Sequence, residues 1–285
     1  MLAQGFCVPA PRYARRMSPT FPAIAATATY LIATLLLWRT LTARTGQRPL
    51  AALGLGAAAL LLHAWSLGLV LHGPDGFTLD LLRTSSLLAW EVAALTLVAG
   101  LTLPVGSLGL VALPVGAIGA AMLAFDLAPV PNPSPLTVAV EAHVILSLLA
   151  YGLLLLAAGQ ALLLWYQERR LQRREVKGLI GLLPPLAVME SLLFQILLLG
   201  VVLLSFALAT GFAFVQDLRA QHLVHKTVLS LLAWVILAVL LWGRWRHGWR
   251  GPRAVAMTLA GFATLVLAYF GSRFVLEVLL GRSWG

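Results

Sequence analysis

Histidine is the residue type in this chain whose chemistry and position in the sequence stand out. The chain has six: His63, His72, His143, His222, His225 and His247. A neutral imidazole costs less in lipid than a fixed charge and is a common axial ligand of haem iron. The single cysteine, Cys7, excludes a CxxC pair and a CxxCH haem-attachment site. HExxH, P-loop, GxSxG and paired-carboxylate patterns are also absent, so we expect a protein that is not an enzyme.

The histidines lie in or beside long runs without Asp, Glu, Lys or Arg. These uncharged runs cover residues 17–38, 49–74, 142–167, 191–216, 227–243 and 254–272. Each is about long enough to cross roughly 30 Å of hydrocarbon as a helix. A longer run, 92–125, is broken by Pro104 and Gly106 into the end of one span and a complete second span. The pattern predicts an all-α, polytopic membrane helix bundle with eight transmembrane helices.

Composition and charge placement support a membrane protein. The chain is 60% hydrophobic and 11% charged, whereas a soluble domain has about 25% charged residues. Arginine-rich loops follow the first, fifth and seventh predicted spans, all on one face, and the positive-inside rule assigns that face to the cytoplasm. Both termini then lie on the opposite side. The net charge of +10 is therefore expected to contact lipid headgroups rather than nucleic acid.

The first residues do not fit this topology. Arg12, Arg15 and Arg16 would lie on the outer face, and their segment lacks the apolar centre of a signal peptide. We therefore expect residues 1–16 to be a doubtful N-terminal extension, with synthesis starting at Met17, although a short basic tail outside the membrane is the alternative. Residues 17–285 are predicted to form one integral membrane domain.

Predicted depth separates the histidines. His143 lies near the outer start of the fifth span, where its ring could face an outward cleft or bond a neighbouring helix. His63 lies past the middle of the second span, where it could be a ligand or a buried histidine that bonds across helices. His72 is expected to lie at the membrane interface. His222 and His225 precede the seventh span with i,i+3 spacing, which places both on one face if that turn is helical. His247 lies among cytoplasmic arginines.

Other polar residues in the predicted spans are expected to have structural roles. Glu91, Gln160, Glu190 and Gln195 are expected to make interhelical hydrogen bonds, and Glu91 is too isolated for a proton relay. Trp65 and Trp90 are deep enough to pack against a flat cofactor, but packing in the protein core is the alternative reading.

Several strings resemble the cytochrome c assembly family, and within it the YpjD/HemX-like inner-membrane branch. They are residues 143–151, Thr210-Gly211, 226–234, the GWRG string at 248–251, the AYFG string at 268–271, and the stretch from Leu62 to Trp90. The resemblance extends over most of the chain. It implies an eight-helix bundle in the bacterial inner membrane that binds haem at its outer face during cytochrome c maturation, with other assembly proteins as partners.

The resemblance also implies site residues. His143 occupies the position of one of the two outer haem-ligating histidines of the family. The second falls on Leu280, an intramembrane histidine falls on Trp242, and the tryptophan-rich loop is replaced by residues 214–226, in which only the lysine is retained.

Replacements for the missing haem contacts can be named. We expect His225 or His222 to complete the axial pair with His143 across the outer cleft, so that His143 and His225 are the predicted metal ligands. Arg273 could pair with a haem propionate or extend to the interface.

Two functions follow from these observations. The first is an inner-membrane haem-handling or cytochrome c assembly factor. The alternative, favoured by the missing ligands, is a haem-free structural subunit of a membrane assembly complex. A transporter and a b-type redox subunit, in which His63 and His143 would share a haem, are less well supported.

Overall fold

The computed structural model is a helical bundle, and it describes residues 18–43, 49–73, 76–77, 81–101, 106–125, 138–174, 183–214 and 224–271. The helices are α1 (Thr20–Ala43), α2 (Leu50–Leu71), α3 (Leu81–Gly100), α4 (Gly106–Ala124), α5 (Val138–Gln172), α6 (Leu186–Phe214), α7 (Val224–His247) and α8 (Gly251–Val266). A π-helical turn, Leu267–Gly271, extends α8. Two short antiparallel strands, β1 (His72–Gly73) and β2 (Gly76–Phe77), connect α2 to α3.

The predicted fold class, an all-α membrane helix bundle, is confirmed. Within the described ranges, 7 helices are long and apolar enough to cross a membrane, and α4 is apolar but shorter. The expected break near Pro104 is confirmed, because α3 ends at Gly100 and α4 begins at Gly106. The eight helices are therefore consistent with the eight predicted spans. Residues 1–17, which include Cys7, lie outside the described part of the chain.

The uncharged runs predict the helix centres better than the helix ends. Helix α1 continues past Arg39, because a long basic side chain can extend from a helix to the interface while the backbone remains helical. Helix α3 begins before Arg83, whose side chain is buried in the bundle. Helix α5 has 35 residues, a length of roughly 50 Å, and therefore extends well beyond the hydrocarbon.

The helices form two halves with separate apolar cores. Helices α1–α4 pack around the first core, which consists of Ala26, Tyr30, Ala33, Leu37, Ala52, Ala59, Ala93, Leu113, Ala117 and Ala120. Helices α5–α8 pack around a larger core that includes Leu154, Leu193, Leu197 and Leu237. The halves meet where α5 packs against α3 and α4, through a small cluster of Val92, Ala112 and Leu156.

The ends of the bundle differ in chemistry. We call the end at which α5 and α7 begin the His143 end, and the opposite end the Arg-rich end. At the Arg-rich end, Gly248 and Gly251 have φ values of 66° and 57°, which glycine adopts at low cost. Trp249 packs directly on Gly243, and the backbone N–H of Gly251 donates to Glu190 Oε1 at 3.0 Å. The GWRG string therefore builds the turn between α7 and α8.

Helix α4 approaches its neighbours through glycine. A Cβ atom at Gly119 would overlap the Cβ of Ala89 on α3 and would lie 3.4 Å from the Cα of Ser86. Neither neighbour can be moved by changing a side-chain rotamer, so the close contact of α3 with α4 depends on glycine at this position.

We predict that Gly119→Ala lowers the stability of the bundle by about 1–3 kcal/mol, the usual cost of overpacking a core. Gly54→Ala is the matched control, because no atom lies within 4 Å of a Cβ at that position. Thermal unfolding in detergent should show a lower midpoint for Gly119→Ala alone. Equal midpoints for the two variants would contradict this packing.

Candidate functional site

His143 is held at the His143 end by residues at the end of α6. Its Nδ1 lies 3.0 Å from the hydroxyl oxygen of Thr210. A Cβ on Gly211 would lie 3.1 Å from the Cε1 of His143, so glycine allows the half-buried ring to lie flat against α6. The Thr210-Gly211 pair therefore sets both the position and the orientation of this imidazole.

The hydrogen bonds around Thr210 determine which nitrogen of His143 carries the proton. The Thr210 hydroxyl donates to the carbonyl oxygens of Phe206 and Ala207, each at 3.0 Å. With this hydrogen used, Thr210 accepts from His143, which places the proton on Nδ1. Nε2 then keeps its lone pair, and the Ser147 hydroxyl lies 3.5 Å from it, at the outer limit of a hydrogen bond.

This arrangement is suitable for a metal ligand. Metal-binding imidazoles usually donate their second ring N–H to a protein oxygen, which fixes the tautomer and the ring orientation. His143 has this feature, with Nε2 available for an iron atom. Among the described residues there is no group of three or more His, Cys, Asp or Glu side chains that could hold a metal ion.

His63 lies in the other half of the bundle, inside a closed hydrogen-bond chain. It is 0% exposed, its Nε2 lies 2.9 Å from Ser86 Oγ, and Ser86 donates to the carbonyl of Gly119 at 2.7 Å. His63 Nε2 must therefore donate to Ser86, which leaves Nδ1 to accept from the Tyr30 hydroxyl at 3.5 Å.

Iron could bind His63 only if this chain were broken. Its arrangement corresponds to the alternative reading, a buried histidine bonded across helices. The polar partners of His63 come from α1 and α3, whereas those of His143 come from α5 and α6. Nothing described brings the two rings together, so a haem shared by these histidines has no support.

For the remaining predicted site residues, the structure describes the backbone position or nothing. His225 is the second residue of α7, and His72 is the first residue of β1. His222 and Arg273 lie outside the described residues, as does most of the segment 215–226 that replaces the tryptophan-rich loop. For the predicted axial partner, the structure therefore gives only the backbone position of His225 at the start of α7.

A row of hydroxyl groups near His143 was not predicted from sequence. The Tyr151 hydroxyl donates to the carbonyl of Leu265 at 3.0 Å, and its ring contacts that of Tyr269 with centroids 5.8 Å apart. The Tyr269 hydroxyl lies 3.4 Å from the Thr84 hydroxyl, which joins the two halves. Lys226, next to His225, has its Nζ 6.0 Å from the Tyr269 ring. Both tyrosines belong to the family strings, and a tyrosine within a span needs a polar partner, which is the signal that could have identified them.

The other polar predictions are resolved individually. Gln160 donates to the carbonyl of Met189 at 3.0 Å, and Glu190 accepts from Gly251, so both bond between helices. Gln195 instead bonds within its own helix, to Ser191 at 3.2 Å. Glu91 does not make the expected interhelical hydrogen bond through Oε1, because this atom has no hydrogen-bond partner among the described residues.

The two deep tryptophans lie in different surroundings. Trp90 donates to the carbonyl of Leu60 at 3.0 Å and packs in the core near α1 and α2. Trp65 is partly exposed on the outside of the bundle. Both positions agree with ordinary packing of a membrane bundle rather than with a platform for a flat ring.

The fold and the site together define the class of protein, which is an all-α membrane bundle with a histidine held at one end. The family described as "Cytochrome C assembly protein" matches residues 78–280, and the chain belongs to this family. The match covers most of α3 to α8 and all residues around His143.

Individual relatives agree with this family. The inner membrane protein YpjD of Escherichia coli K12 is 40% identical over 137 residues, 48% of this chain and 52% of that protein. An uncharacterized 28.8 kDa protein of Azospirillum brasilense is 35% identical over 147 residues, 50% of this chain and 53% of that protein. The chain thus aligns with about half the length of these relatives. No solved structure matches the chain significantly.

We predict that Thr210→Val disturbs His143 even without a ligand. Valine keeps the shape of threonine but leaves the Nδ1–H without its acceptor, at a cost of about 1–3 kcal/mol. Nitrogen-15 NMR of labelled histidine should show the Nδ1–H tautomer in the native protein and in Thr210→Ser, and a changed tautomer population in Thr210→Val. An unchanged spectrum for Thr210→Val would contradict the assigned hydrogen bond.

Proposed function

We propose that this protein is a non-enzymatic cytochrome c assembly factor of the bacterial inner membrane that binds haem at the His143 end. Family membership supports a role in cytochrome c assembly. The name of the Escherichia coli relative, together with the apolar helices, supports a multi-pass location in the inner membrane.

The observation that carries the haem proposal is the hydrogen bond from His143 Nδ1 to Thr210. It leaves Nε2 with a lone pair at a half-buried position, where an iron atom could bind without first displacing a strong hydrogen bond. His63 offers no such atom, because its Nε2 donates to Ser86 and its Nδ1 faces the Tyr30 hydroxyl inside a core where the ring is 0% exposed. Bound haem would supply the iron and its propionates, while the protein would supply the ligand and a partly dry surface.

The second axial ligand in this proposal is His225, or alternatively His222. The backbone supports a role for His225, because Lys226 lies near Tyr269, whose ring contacts Tyr151 on the same helix as His143. Arg273 would pair with a propionate in charge-assisted hydrogen bonds. The tryptophan-rich loop of the haem handlers is missing, so binding would depend mainly on the two axial bonds.

The orientation of the bundle follows from its charges. Arg169 and Arg170 on α5, and Arg244 and Arg246 on α7, lie in the last turns of these helices at the Arg-rich end. The positive-inside rule favours a cytoplasmic location for that end. The His143 end and both termini would then lie on the periplasmic side, where cytochrome c assembly proteins and haem would be partners, while the apolar outer surface contacts lipid.

A haem-free structural subunit of a membrane assembly complex is the second candidate. The replacement of the family's ligand positions by Leu280 and Trp242 favours it, and the Trp242 side chain is 60% exposed on α7. A colourless protein that crosslinks to a stoichiometric partner would support this candidate over the first.

Haem titration of the purified protein tests the proposal. We expect added haem to give a Soret shift that His143→Ala abolishes and that free imidazole restores in this variant. His247→Ala, at the Arg-rich end, is the matched control and should bind as the native protein does. Thr210→Val should weaken binding by roughly 10–100-fold, the usual effect of removing the partner of a ligating histidine.

The contradicting results are equally clear. A native protein without a Soret shift, or a His143→Ala variant that binds haem normally, would show that His143 is not an axial ligand. Size-exclusion profiles and far-UV circular dichroism should match the native protein for each variant, so that loss of binding is not confused with loss of the fold.

A further inference from the structure

Glu91 is a buried acid that neither the helix packing nor the proposed haem site accounts for. It lies on α3 and is only 7% exposed. The same face of α3 carries Thr84, which contacts Tyr269, and Leu95, which packs near Val92 and Leu156. This face is where the two halves meet, so the carboxyl group lies in the interface between them.

The carboxyl group has no charge partner among the described residues. Its Oε1 is buried without a hydrogen bond, and no described ion pair includes Glu91. Arg83, on the same helix, is eight residues away, which corresponds to about 12 Å along the axis. An unpaired carboxylate in a low-dielectric interior costs many kcal/mol, and the acid form avoids this cost.

The facing helix leaves space for the carboxyl group through glycine. A Cβ on Gly152 of α5 would overlap Glu91 Oε1 and would lie 2.6 Å from its Cδ. Any larger residue at position 152 would push the carboxyl group out of the interface. The pair of Glu91 and Gly152 therefore forms a cradle for one acid group between the halves.

Three hydroxyl groups lie on the side of this cradle that faces the His143 end. Thr84 is two turns nearer that end, roughly 10 Å along α3, and its hydroxyl contacts that of Tyr269. Tyr151 precedes Gly152 directly and packs against Tyr269. The sequence suggested that Glu91 was too isolated for proton movement, because these hydroxyls come from distant parts of the chain.

The groups that face Glu91 from its surroundings are uncharged. Helix α4 has no Asp, Glu, Lys, Arg or His. Helix α2 contributes His63, which is neutral in its hydrogen-bond chain with Ser86. Helix α5 contributes Tyr151, with His143 further out, and the π-helical turn contributes Tyr269. Arg83 on α3 and Lys226 on α7 are the nearest described cations towards the His143 end.

We propose that Glu91 is a proton-binding site between the two halves. It is a carboxylic acid while α3 packs on α5, and it exchanges this proton with water at the His143 end past Thr84, Tyr151 and Tyr269. The reaction is the transfer of one proton from the carboxyl group to water and back. The site is independent of haem, since none of the described hydrogen bonds of His143 includes Glu91.

Infrared spectroscopy of the full chain in lipid nanodiscs tests this site. The native protein at neutral pH should show the C=O stretching band of a protonated carboxyl group, and the band should shift after transfer to D₂O. Glu91→Gln should lose this band. Glu141→Gln, which changes an exposed acid at the start of α5, should retain it.

The route to water has its own test. Combining Thr84→Val with Tyr269→Phe should slow the deuterium shift of the band, whereas Tyr166→Phe, towards the Arg-rich end of α5, should leave its rate unchanged. Absence of the band in the native protein would show an ionised Glu91 and overturn the proposal. A band that never shifts in D₂O, or that shifts equally fast without the two hydroxyls, would overturn the exchange route.

Two variants separate the proton site from the haem site. His143→Ala should keep the infrared band although it loses haem binding, and Glu91→Gln should keep the Soret shift although it loses the band. Loss of both signals in either variant would contradict the independence of the two sites.

Discussion

Polar groups inside a bilayer must find their partners within the protein, because hydrocarbon offers no hydrogen bonds. This constraint explains most of the polar contacts in the bundle. The chain from Tyr30 through His63 and Ser86 to Gly119 connects α1, α2, α3 and α4 and uses both nitrogens of the imidazole. Gln160 and Glu190 connect helices in the second half in the same way.

Against this background, a few polar atoms lack a strong partner among the described residues, and they include the amide oxygens of Gln160 and Gln167. Two others belong to side chains that can bind a metal or a proton. His143 Nε2 has one distant hydroxyl neighbour, and Glu91 Oε1 has no partner among the described groups. Each is positioned by a glycine on a neighbouring helix, Gly211 for the imidazole and Gly152 for the carboxyl group. His63 is fully enclosed, whereas His143 is half-buried, and we therefore propose iron as the ligand of His143 and a proton as the ligand of Glu91.

The sequence predicted the helices and their class because length and lack of charge are local properties of the chain. It also indicated the break near Pro104. It did not predict that His63 is enclosed in a buried hydrogen-bond chain while His143 is half-buried, since their partners, Ser86 and Thr210, are 23 and 67 residues away and meet them only after packing. The same holds for the contact of Tyr269 with Thr84, which joins residues 185 positions apart. The family resemblance indicated the importance of these strings but not their contacts.

The assignment of a ligand role to His143 depends on its having an accessible ring nitrogen, which His63 lacks. Chemical modification measures this accessibility directly. Diethyl pyrocarbonate acylates an imidazole nitrogen with an accessible lone pair, and mass spectrometry locates the product. The account predicts modification of His143, with exposed His247 as the positive control, while buried His63 stays unmodified in the folded protein. Modification of His63 at the rate of His247, or an unreactive His143, would contradict it.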